Sequence, residues 1–194
     1  MSRLSLVLSV VAMSALLAAG PADAAKDVHA DPVGDMVVAP GQLPDGATPA
    51  PEVRPGDITA LVTKHKARTV LLTTRFVERT DDFVAWRVKT PGDSYFIRLT
   101  ILGLPGPTAG LLEIGRQSTG SALDCPGLRR VALRGSVQAI RVAVPRRCLG
   151  DPRWVRAGTL ATDSVDNTQY ADESHRVGRA DPGNVKVGRK VKVG

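Results

Sequence analysis

The chain is 194 residues long, which gives room for one domain and one core. Two Trp, two Tyr and three Phe are few, so Val, Leu, Ile and Ala must fill that core. The net charge of +7 favours anionic partners, but the aromatic residues that single-strand nucleic-acid binders interleave with their cations are missing, so nucleic acid is not the expected partner.

Residues 1–24 read as a cleavable signal peptide. Arg3 supplies a positive start, Leu4 to Ala19 form an uncharged apolar run, and Ala22-Asp23-Ala24 carries the small-x-small pattern of a cleavage site. The run is shorter than the roughly 20 apolar residues of a spanning helix, so no transmembrane segment is expected after cleavage. The mature chain then starts at Ala25 in an extracellular, oxidising compartment. There its two cysteines, Cys125 and Cys148, are most simply a disulfide. Two distant thiolates without a nearby His do not resemble a zinc ligand set.

Residues 25–55 are expected to form a Pro/Gly-rich arm. Pro32, Pro40, Pro44, Pro49, Pro51 and Pro55 suppress helix and ladder pairing, leaving Met36 to Ala39 as the best segment for pairing at a sheet edge. A β-sandwich domain is expected over residues 56–162. Asp57 to Lys64 and Arg68 to Phe76 are β-branched runs spaced as a hairpin. Phe83 to Lys89 and Ser94 to Leu102 alternate around Pro91-Gly92-Asp93 and form a second hairpin. Leu111 to Arg116 is a short strand between two loops. Leu128 to Arg134 and Val137 to Val144 flank the two-residue connection Gly135-Ser136, and Trp154 to Thr162 is the last strand. About eight short strands and no helical period predict an all-β antiparallel sandwich after an extended arm. The bridge between Cys125 and Cys148 would staple the open end of the third hairpin or tie it to a neighbouring strand.

Residues 163–194 read as a polar, basic tail. Arg176, Arg179, Lys186, Arg189, Lys190 and Lys192 stand there against Asp181, and alternating valines leave an edge strand open. From Ala25 to Asp124 there are 11 Lys and Arg against 12 Asp and Glu, a net of −1. From Cys125 onward there are 14 against 6, a net of +8. Such asymmetry points to an anionic cell-wall polymer or lipid surface. The plain alternative is that arginines on outward strand faces serve solubility and protect sheet edges.

Asp31-Pro32-Val33-Gly34-Asp35 places two aspartates around a turn, and Asp57 opens the first clear strand. Asp31, Asp35 and Asp57 would supply part of the oxygen set that calcium requires, with Asp163, Asp166 and Asn167 as additions. The alternative is an ordinary Asx-Pro turn with solvated carboxylates. No other cofactor is expected.

No nucleophile, base and orienting group can be named together, so a catalytic site is not expected. Gly92-Asp93-Ser94 resembles the start of a hydrolase motif but falls in a hairpin turn. His29, His65 and His175 lie where exposed polar residues are expected. Asp81-Asp82 and Asp172-Glu173 read as solvated loop charges, since adjacent strand residues point to opposite faces. Trp86 and Trp154 read as core residues.

The opening, from Asp31 through Asp35 to Gly56-Asp57-Ile58, resembles secreted carbohydrate-binding-like or DOMON-like β-sandwich modules over about the first third of the chain. Most of the mature chain is similar to a class of secreted actinobacterial proteins with no assigned activity. That similarity lies in the same opening, Cys125-Pro-Gly-Leu128, Val144-Pro-Arg-Arg-Cys-Leu-Gly150 and the basic C-terminal segment. The expectation is a secreted, non-catalytic binding or interaction module at the cell envelope. A structural domain without a specific ligand and an unrecognised secreted hydrolase are the alternatives.

Overall fold

The structure, a computed structural model, describes residues 25–39, 48–101, 110–131, 133 and 138–194. The expected signal peptide and the Gly135-Ser136 connection lie outside the described residues. The chain folds as β1 (Ala25–Ala30), β2 (Val37–Val38), β3 (Ile58–His65), β4 (Thr69–Phe76), β5 (Phe83–Lys89), β6 (Ser94–Thr100), β7 (Leu111–Arg116), β8 (Arg129–Arg130) and β9 (Ala139–Pro145). A 3-10 turn over Arg146–Leu149 leads to β10 (Trp154–Val165), β11 (Thr168–Glu173) and β12 (Val191–Lys192). Among the described residues no helix is long and apolar enough to cross a membrane.

Two antiparallel sheets pack face to face, as the alternating runs predict. One has the order β1-β3-β4-β9-β8, and the other β2-β11-β10-β5-β6-β7, with β12 added to β10. Alternation sends Val70, Leu72 and Phe76 of β4 and Ile140, Val142 and Val144 of β9 inward against Val84, Trp86 and Val88 of β5 and Tyr95, Ile97 and Leu99 of β6. Trp86 is fully buried, and its indole N–H donates to Thr74 Oγ1 at 2.8 Å. Thr74 in turn donates to Thr159 Oγ1 at 3.3 Å, and Thr159 to the Ala85 carbonyl at 3.1 Å. This chain satisfies the indole while joining the sheets through the core, where an unpaired polar group would be costly. Trp154 is only half-buried, with the Lys190 ammonium 4.7 Å from its ring centre.

Cys125 and Cys148 are joined, across a sequence separation of 23. They flank β8 and β9 and staple the open end of that pair, which should stabilise the fold by roughly 3.5 kcal/mol through loop closure.

The structure departs from the expected arm and tail. Val28 of β1 pairs with Val62, and β1 forms the edge of the five-stranded sheet; its polar sequence, Ala-Lys-Asp-Val-His-Ala, hides a strand exposed on one face. Val37 and Val38 pair with Ala171 and Tyr170, within the segment expected at a sheet edge. After Asp163 the chain does not leave the sandwich. Asp166 and Asn167, both at positive φ (50° and 64°), make the two-residue turn between Val165 and Thr168, and β11 returns alongside β10.

Residues 174–190 then cross the outer face of the seven-stranded sheet. Ala180 and Val185 pack there on Leu160 and Ala171, with Phe83 and Phe96 at the margin. Glu173 organises the crossing. Fully buried, it accepts from Arg176 Nε at 2.8 Å and from the backbone N–H groups of Asp181 (2.9 Å) and Lys186 (2.5 Å). At Gly158 the segment touches the sheet backbone so closely that an added Cβ would stand 1.9 Å from the Lys186 carbonyl oxygen. Beyond it, Val191 pairs with Val155 of β10 while accepting from His65 Nδ1 of β3, so β12 closes the gap between the sheets.

Gly158→Ala should therefore displace the covering segment. Its expected cost is about 1–3 kcal/mol in urea unfolding, as for other small-to-large changes at a packed site, with increased amide exchange confined to residues 180–190. Cys125→Ala should cost about 2–5 kcal/mol, and intact mass of the wild type should show no alkylated cysteine without prior reduction.

Candidate metal centre

One end of the sandwich gathers aspartates from distant parts of the chain. Asp31 follows β1 directly, its backbone N–H donating to the Thr59 carbonyl at 3.1 Å. Pro32 and Val33 then turn the chain, and Gly34, at φ 80°, donates its N–H to Asp57 Oδ2 at 2.9 Å. This turn sets Asp35 beside Asp31. From the far side comes Asp172 of β11, whose Oδ2 accepts the Ile58 N–H at 2.6 Å and Oδ1 the Glu173 N–H at 2.7 Å. Carboxylate oxygens of Asp31, Asp35 and Asp172 all lie within 4.8 Å of one another. Two ligands of one calcium ion, each 2.3–2.6 Å from it, are at most about 5 Å apart, so this spacing fits a shared ion.

Burial sharpens the point. Asp31, Asp57 and Asp172 are 8 %, 1 % and 1 % exposed. Oδ2 of Asp31, both oxygens of Asp35 and Oδ1 of Asp57 are buried without a hydrogen-bond partner among the described residues. Buried carboxylates need pairing, and each lone oxygen leaves an uncompensated desolvation cost. Burial, followed by the charges of Asp172, Asp35, Asp57 and Glu173, pushes the Asp31 carboxyl up to about 9. Asp172 is pushed up to about 8, first by burial and then by Asp35 and Asp57, against the opposing N–H of Ile58. Burial also raises Asp35 and Asp57, although the N–H dipoles around Gly178 and Gly34 respectively oppose it. The four groups thus act as one electrostatic unit, in which a bound cation would favour full ionisation. The donors are hard oxygens throughout, the set preferred by calcium or magnesium.

The structure brings Asp31 and Asp35 together with Asp172 and places Asp57 against the same loop. Asp172, read from the sequence as a solvated loop charge, is buried; its strand was hidden by the unrecognised Asp166-Asn167 turn. Glu173, its neighbour, is buried on the opposite face. The other expected additions go elsewhere: Asp163 accepts the Asp81 N–H at 3.1 Å, and Asp166 and Asn167 make the turn.

The six cations expected on a free tail sit on ordered backbone. Arg176 pairs with Glu173 and Asp181, Arg189 with Asp27, and Lys190 covers Trp154, while Arg179, Lys186 and Lys192 are exposed. Nor are all three histidines exposed. His65 is fully buried, and the His29 and His175 rings lie 3.8 Å apart, with His175 Nε2 donating to the Ala157 carbonyl. Burial, helped by His29, lowers His175 to about 4. Comparison with protein-family models, curated proteins and solved structures gave no match.

The pH dependence follows from these shifts. Asp31 and Asp172 hold protons in the fold, near 9 and 8, that the unfolded chain releases near 3.8, so the metal-free protein loses stability as pH rises through that interval. His175 acts oppositely, but only below its ordinary value of 6.5. In chelator, melting temperature should therefore fall between pH 6.5 and pH 9. Asp31→Asn should remove much of that slope and raise the metal-free melting temperature at the alkaline end.

Proposed function

We propose that the protein is a secreted, non-catalytic β-sandwich that binds calcium among Asp31, Asp35, Asp57 and Asp172 and serves as a binding or interaction module at the cell envelope. The observation that carries this reading is that Asp31, Asp35 and Asp172, from two distant stretches of chain, bring carboxylate oxygens within 4.8 Å of one another, with oxygens of Asp31, Asp35 and the adjacent Asp57 buried and without partners among the described residues. A divalent cation neutralises their mutual repulsion and clamps the segment after β1 to β3 and β11. Extracellular modules commonly hold calcium with dissociation constants of about 10⁻⁴–10⁻³ M, a range suited to a site of three or four carboxylates at the surface end of a sheet. Support for an envelope partner comes from the net charge of +7 and from its display on ordered backbone.

Calcium at millimolar concentration should raise the melting temperature, because ligand at about ten times its dissociation constant stabilises the fold by about 1.4 kcal/mol. Asp35→Ala should abolish the response, and the calcium effect should grow from pH 6 to pH 8 as protons cease to compete for the ligands. No shift in the wild type would return Asp31-Pro32-Val33-Gly34-Asp35 to an ordinary turn. Cosedimentation with isolated envelope fragments tests the second half of the reading. Retention at low salt and release at high salt is expected, since exposed charge is screened over about 8 Å at physiological ionic strength. Salt-independent loss of retention would leave a structural domain without an anionic partner.

A further inference from the structure

The two sheets differ on their outward faces. On the seven-stranded sheet Arg87 donates to Asn184 and the Val185 carbonyl, Arg156 donates to the Gly188 carbonyl, Arg98 stands directly across from Glu113, and Lys89 is exposed. Residues 174–190 cover much of the rest. On the five-stranded sheet, alternation assigns the outward positions to Lys26 and Val28 of β1, Val62 and Lys64 of β3, Leu71, Thr73 and Arg75 of β4, Arg141 of β9 and Arg129 of β8. Their neighbours along each strand are the residues that enter the core.

The register lines these positions up. Lys26 faces Lys64, which faces Leu71, then Ala143, then Arg129, in one row across all five strands. The next row runs Val28, Val62, Thr73, Arg141, and the one after it Ala30, Ala60, Arg75, Ala139. No outward position in these rows is acidic. At about 4.8 Å per strand the first row spans roughly 19 Å, carrying cations at both ends with Arg141 and Arg75 in the rows beside it. Lys26, Lys64, Arg75 and Arg129 have no ion-pair partner among the described residues, and Lys26, Arg75 and Arg129 are exposed. Arg141 is held flat on the sheet by its bond to Thr73 Oγ1 at 2.8 Å. Small and apolar residues between the cations, with Val28 49 % exposed, keep the surface low.

We infer that this outer face, Lys26, Lys64, Arg75, Arg129 and Arg141, is a docking surface for a linear polymer with a negative charge on each repeat. The inference rests on the envelope reading above and names its partner and its surface. Cations spread across a stiff sheet at intervals of one to a few strand spacings meet successive charges of an extended chain. Their own repulsion in the free protein is relieved on binding, with release of counterions as the driving term.

The test measures binding of fluorescent long-chain polyphosphate by anisotropy between 50 and 200 mM salt, using the mature protein in calcium. The Lys64→Glu/Arg75→Glu/Arg129→Glu triple variant should bind about tenfold or more weakly and with a flatter salt dependence. Its calcium-induced melting shift should stay intact, showing that it folds. Arg179→Glu/Lys186→Glu, on the segment over the other sheet, should bind nearly as the wild type does. Equal loss in both variants would mean diffuse net charge and overturn the inference, as would tighter binding to phosphatidylglycerol vesicles than to the polymer. Wild-type retention on envelope fragments that the triple variant shares unchanged would overturn this surface while leaving the envelope reading in place. No binding to polyphosphate or to fragments would remove both.

Discussion

Carboxylates that cannot all be charged at once set the terms for one end of this fold. Asp172 is needed there, because its Oδ2 satisfies the first backbone N–H of β3. Asp57 is needed as well, since it holds the Gly34 turn in place. Each does a structural task only as an acceptor, yet each raises the proton affinity of the others. The arrangement is self-consistent with protons or with a cation, and the choice between them follows pH and metal supply rather than sequence.

Glu173, one residue along, shows the other solution to a buried acid. It is saturated by an arginine and two backbone N–H groups, and in exchange it shapes the segment that covers the seven-stranded sheet. The adjacent pair thus divides its work by the pleat of β11: one side chain faces the aspartates, the other the covering segment. Gly158 permits that cover by offering no Cβ to the Lys186 carbonyl.

The central strands were legible because their side chains alternate cleanly. Phe83–Lys89 and Leu111–Arg116 match the expected bounds, and Pro91-Gly92-Asp93 turns as expected. What escaped were strands whose buried positions are polar. Glu173 and Asp172 read as solvent-seeking, and only the Asp166-Asn167 turn, a recognisable left-handed pair, could have revealed β11. Asp31, Asp35 and Asp57 stood out through their Pro/Gly context, whereas their meeting with Asp172 depends on a strand pairing that no local pattern announces. Charge was legible in amount but not in place. The half of the chain with a net of −1 contributes Lys26, Lys64 and Arg75 to the basic sheet face, because strands from both halves interleave there.

Asp27 pairs with Arg189, 162 positions away, His29 stacks on His175, and Asp31 meets Asp172. Contacts of such separation are entropically late, so these three close only after β10, β11 and the covering segment have formed, whereas the ladder of β1 with β3 depends on none of them. The aspartate cluster is therefore completed only when β11 arrives. Loosening residues 172–191 would strip the opening segment of its contacts with Asp172, His175 and Arg189 and leave β1 held by β3.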